Sequence, residues 1–123
     1  MLKTVSENNW YVGTTKPTAS DVTTISEYPT SDNPLTYTNN SGTKSHIFVL
    51  TNSDKTVTFI NPELNAPVSQ TTVDTTSIPG YNIFETAVGV ANGKSIKIQV
   101  AVWNAPNDVV LKTILNGKTD IGI

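Results

Sequence analysis

The chain has no cysteine and no arginine, and its only histidine is His46. Without cysteine, neither disulfides nor thiolate metal sites can hold the fold. The eight basic residues are all lysine, they are scattered, and the net charge is −2. A nucleic-acid site wants a basic stripe, usually with Arg for bidentate contacts, so nucleic acid is not an expected partner. No apolar run is long enough to span a bilayer, so no membrane insertion is expected. The N-terminal residues lack an apolar h-region, so no signal peptide is expected either. Charged residues make up only 15% of the chain, whereas Thr, Asn and Ser are abundant. Thr favours strands, and Asn and Ser favour turns.

At 123 residues the chain reads as a single domain, 1–123, able to bury a core without staples. The clearest pattern lies in residues 96–102. Ile96, Ile98, Val100 and Val102 alternate with Lys97, Gln99 and Ala101, the period of a strand with one buried face. Asn92-Gly93 precedes it, a dipeptide suited to a tight hairpin turn. Residues 78–103 are therefore expected to form a β-hairpin, with positive φ at both Asn92 and Gly93.

Upstream, residues 9–14 read as a first strand ended by Lys16-Pro17. Ser20 or Asp21 can cap a short helical turn near residues 20–26, with Val22 and Ile25 on its inner side. A two-proline loop leads to a short strand at 35–38, and the turn 39–43 follows. Residues 44–50 form the most apolar strand: His46, Phe48 and Leu50 on one side, Ile47 and Val49 on the other. A strand apolar on both sides is central in a layered structure or lies at a subunit contact. Residues 55–60 alternate again, 61–67 read as irregular, and 68–76 as an edge strand. Residues 108–121 fit either a capped helix or a second hairpin turned at Asn116-Gly117; their β-branching favours strand. Many short strands with turns between them predict an all-β fold, a small antiparallel β-sandwich or barrel-like domain.

No catalytic, cofactor or metal constellation is visible. Residues 89–95 resemble a phosphate loop, but only three residues separate the glycines, and a strand follows where a helix is required. Ser41-Gly-Thr-Lys44 and Ser31-Asp-Asn33 match two serine-hydrolase elements in reversed order on too short a chain. His46, set among apolar neighbours, is expected to be packed or at a subunit contact. Asn39-Asn-Ser41 is formally a glycosylation sequon. Trp10, Tyr11, Tyr37, Tyr81 and Trp103 could form a sugar-stacking platform or serve core and interface packing. If its strand runs unbroken, Trp103 falls on the face opposite Ile96–Val102. The candidate interface or ligand surface is Trp103, Trp10, Tyr11, Phe48 and Tyr81.

Four pieces of the chain, over roughly residues 8–102, resemble small β-rich modules of bacteriophage virion proteins of the fibre, appendage or head-decoration type. They are the opening Trp10–Gly13 leading into 16–25; the run 35–42 before the aromatic strand 46–50; Thr58-Phe-Ile60 before a polar excursion; and the return through 80–85 to 93–98. The resemblance implies a non-enzymatic virion structural protein, assembled in the host cytoplasm, with capsid or tail subunits as partners. It also implies a homo-oligomer, possibly a trimer. No catalytic residue carries over. Without a long shaft around the module, a decoration or cement protein, or a small tip or head-fibre subunit, is expected. The alternative is a carbohydrate-binding or adhesion module that recognises host glycans.

Overall fold

A computed structural model describes residues 7–68, 70–74 and 78–102. They form a β-sandwich of two antiparallel sheets. The strands are β1 (Asn8–Gly13), β2 (Thr23–Ile25), β3 (Leu35–Thr38), β4 (Phe48–Asn52), β5 (Lys55–Asn61), β6 (Ala66–Val68), β7 (Gln70–Asp74), β8 (Tyr81–Thr86) and β9 (Ser95–Val102). One sheet has five strands in the order β2-β1-β4-β8-β7; the other has four, β3-β9-β5-β6. The expected sandwich is thus present, and β7 lies at a sheet edge as its weak patterning suggested.

The alternation of inward and outward side chains along the strands places the core. Val49 and Phe84 point between the sheets with Trp10 and Ile47, and meet Val57, Phe59, Ile96 and Ile98 of the other sheet. Their neighbours in sequence, Leu50 and Ile83, point to the opposite face, because strand side chains alternate. There they form a second cluster with Tyr81 and Ile78, joined by Tyr11, Val22 and Phe48. β4 is therefore apolar on both sides because one face packs between the sheets and the other is covered by Ile78, Tyr81, Tyr11 and Val22. Leu50 has no exposed surface, so this two-sided apolarity is satisfied within one chain and does not itself call for a partner.

Three expectations are corrected. First, residues 78–103 do not form a hairpin. β8 pairs with β4 and β7, whereas β9 pairs with β3 and β5 in the other sheet. Beyond β8 the chain bridges Val90 to Ser45 and then crosses between sheets through a turn closed by Lys94 N–H donating to the Ala91 carbonyl at 3.0 Å. Gly93 has φ +83°, but Asn92 is not left-handed. A single positive φ at the third position is the pattern of a type II turn, not of the I′ turn that folds a two-residue hairpin.

Second, the helical turn is a 3-10 turn of only three residues, Ala19–Asp21. Thr18 N–H donates to the Asp21 carboxylate at 2.9 Å, and the chain then extends into β2. Val22 packs on the second cluster and Ile25 on the main core. Residues three apart share a face on a helix but take opposite faces in extended chain, and the β-branched run 22–25 prefers the latter. Third, residues 61–67 are not wholly irregular: β6 pairs back on β5, with Ile60 opposite Pro67. Asn65, at φ 50°, makes the reversal, as Asn tolerates left-handed geometry. The ambiguous stretch 108–121 lies outside the described residues.

Candidate functional site

The five candidate surface residues separate in the structure. Trp10 and Tyr81, at 8% and 3% exposure, are core residues and not a free surface. They are apolar enough to drive burial, and each sits on a strand flanked on both sides. Tyr11 and Phe48 are partly buried and join Tyr81 in the second cluster. Tyr11 donates its hydroxyl to the Thr15 carbonyl at 2.7 Å. Its ring lies across Gly13, where any Cβ would collide with the phenol. Trp103 lies outside the described residues. Among the described residues the exposed large apolar side chains are Leu64 and Val102, so no aromatic face stands out as a sugar platform.

What the sequence did not single out is the open flank of the sandwich. Between β1, β2 and β3 runs an open groove of about 380 Å³, with Trp10, Ile25, Tyr28, Pro29, Pro34 and Leu35 along it and Glu27 and Asn33 as its polar members. A second hollow of about 310 Å³ adjoins it through Glu27 and Tyr28, and reaches Lys55 and Val100–Val102. Together they make a trough of mixed lining, with Ile25, Pro29, Pro34 and Leu35 at one end and Asn8, Thr30 and Lys55 among the polar residues at the other. The loop between β2 and β3 shapes it. Val100 N–H donates to the Pro29 carbonyl at 2.8 Å, and Thr30 and Asn33 exchange backbone bonds of 3.1 Å each way.

Tyr28 anchors this loop. Its ring meets Trp10 edge-on, centroids 6.0 Å apart at 63°. Its hydroxyl donates to the Asn9 carbonyl at 2.8 Å and accepts from Asn52 N–H at 3.1 Å. Burial pushes the phenol above its usual pKa, outweighing the Asn52 N–H bond that favours its anion. Tyr37, on β3, is likewise raised, chiefly by burial. Below Tyr28 the Asn9 amide donates to Asn52 Oδ1 at 3.0 Å, and the Asn52 amide donates to the Glu7 carbonyl. The abundant Asn is thus only partly turn chemistry: Asn9, Asn39, Asn52, Asn61 and Asn82 are buried, bracing backbone that would otherwise lack partners.

The sequence-flagged polar residues are held in local hydrogen bonds. His46 is half-exposed and donates through Nδ1 to the Thr86 carbonyl at 2.6 Å, with Glu85 Oε1 at 3.5 Å. The Thr86 hydroxyl is already an acceptor for Ile47 N–H at 3.0 Å. Ser41 Oγ bonds the Thr43 carbonyl at 2.9 Å and the Ser45 hydroxyl at 3.0 Å. Asn39 of the sequon has no exposed surface; its amide donates to the carbonyls of Thr43 and Val90, so the folded chain offers no glycan acceptor there. Among the described residues no group of three or more His, Asp or Glu could hold a metal ion, and no helix is long and apolar enough to cross a membrane. Compared with protein-family models, curated proteins and solved structures, the chain matches none.

Proposed function

We propose that this protein is a non-enzymatic structural component of a bacteriophage virion, acting by attachment to capsid or tail subunits. The observation that carries this reading is the trough between β1, β2 and β3. It is open to solvent rather than enclosed, which suits a polypeptide surface better than a sequestered small molecule. The sequence resemblance to phage fibre, appendage and decoration modules supplies the virion context. The scarcity of charge fits an interface with an apolar centre and a Thr- and Asn-rich rim. The glycan alternative draws less support, because the described aromatics lie in the two clusters or along the groove with little free ring face.

The test is binding. The purified chain is mixed with capsid and tail subunits encoded beside its gene and followed by light scattering and pull-down. Co-migration with a virion subunit, weakened by Leu35→Asp or Ile25→Asp at the trough, is the expected result. A chain that ignores every virion subunit yet holds a specific oligosaccharide on a glycan array overturns it in favour of the adhesion module.

A further inference from the structure

We propose that β3 is a pairing edge for a second copy of this chain, joining two four-stranded sheets into one continuous sheet across a two-fold axis. The inference rests on the reading that the protein works by assembly, and names the surface and the partner. A β-sandwich has four sheet edges, and natural proteins blunt edges that must stay single. Three are blunted here. β2 has only three residues. β6 also has three and contains Pro67, which cannot donate to a ladder. β7 has a register irregularity between Gln70 and Thr72, which bends an edge away from regular pairing. β3, by contrast, reads Leu-Thr-Tyr-Thr, uncharged, regular and rich in strand formers. It is also longer than its assignment, because Asn39 N–H continues the ladder to the Lys94 carbonyl at 2.9 Å.

That bond sets the phase of the edge. In antiparallel pairing, hydrogen-bonded residues recur every second position. With Asn39 bonded inward to β9, Tyr37 and Leu35 are bonded inward too, opposite Ile96 and Ile98. The N–H and C=O of Thr36 and Thr38 therefore face outward, and among the described residues nothing pairs with them. These two threonines are self-complementary. A two-fold axis through Tyr37 sets Thr36 opposite Thr38 of the second copy, and each such pair exchanges both N–H···O bonds. Tyr37 then meets its own copy, an aromatic pair at a non-hydrogen-bonded position, and the threonines pair alongside. Like charges near the axis would repel; this strand has none.

The absence of cysteine from the chain makes a clean test possible. Light scattering of the intact protein should give twice the 13.2 kDa of one chain. Tyr37→Cys should form an intermolecular disulfide on mild oxidation, since Cα atoms at such a pair are roughly 4.5 Å apart. Thr36→Cys should not, because its own copy lies beyond the roughly 7 Å limit. Thr36→Pro removes an outward donor that the chain itself does not use, so it should weaken the dimer at least about tenfold while leaving the melting temperature near that of the unchanged chain. Thr36→Lys repeats the test with the donor kept, by placing two charges near the axis. A monomer at every concentration overturns the proposal. So does a dimer that resists both Thr36 variants and fails to cross-link through Tyr37→Cys. A monomer that still binds a capsid or tail subunit overturns this pairing alone and leaves the assembly reading standing.

Discussion

At the residue scale, buried amides and one phenol hold together what the apolar side chains cannot. Asn39 joins the turn after β3 to Val90 by donating to two carbonyls. Asn39→Ala leaves both without that partner and should cost about 1–3 kcal/mol in chemical denaturation. The exposed neighbour change Asn40→Ala should stay within about 0.5 kcal/mol. Tyr28→Phe strips the acceptor from the buried Asn52 N–H and should likewise cost about 1–3 kcal/mol. The phenols also set a pH limit. Tyr28 and Tyr37 have raised folded pKa values, so the unfolded chain loses these protons first. Their contribution is fully present below the unfolded pKa of about 10 and is lost as pH rises through the folded values. Ultraviolet titration should show tyrosines ionising late, and Tyr28→Phe should remove one of them. Ionisation of every tyrosine at or below pH 10 in the folded protein would contradict this.

At the scale of elements, the consequential segment is the crossover from β8 to β9. Its turn needs one left-handed residue, Gly93 at φ +83°. Gly93→Val should destabilise the fold by about 1 kcal/mol or more in chemical denaturation, because a β-branched residue resists positive φ. Asn92→Ala meets no such strain and should cost only the exposed bond that its Oδ1 accepts from Gly42 N–H at 2.8 Å. An unchanged stability for Gly93→Val would contradict the left-handed turn. Hydrogen exchange should rank the strands by their place in the sheets. The centres of β4, β8, β5 and β9, each paired on both sides, should exchange slowest, and the edge strands fastest. Slow exchange at Thr36 and Thr38 that speeds up on dilution is the signature expected of paired β3 edges.

At the scale of the whole molecule, pairing joins segments far apart in the chain. β1 pairs with β4, and β3 with β9. Such non-local closure makes folding slow, so refolding should fall in the millisecond-to-second range by stopped-flow fluorescence. A microsecond phase carrying the full amplitude would be inconsistent with this topology. The trough also belongs to this scale: it exists only where β1 and β2 of one sheet come beside β3 of the other.

Period and composition determined the class of fold. The alternation in 55–60 and 96–102 falls on β5 and β9, the strand read at 44–50 is present but shifted to 48–52, and the weakly patterned 68–76 contains the edge strand β7. Those signals are local, because a strand's buried face is written in the spacing of its own side chains. Which strand lies beside which is not written there. Asn92-Gly93 is compatible with a hairpin or a type II crossover, and tertiary packing chose the crossover, placing β9 between β3 and β5. Residues 22–25 could have continued the helical turn, and pairing with β1 made Thr23–Ile25 a strand. Tyr28 and Pro34 carry no functional pattern in sequence. They became lining residues because one loop closes the flank of a sandwich. Open edges and grooves are products of topology, and only the folded chain has them.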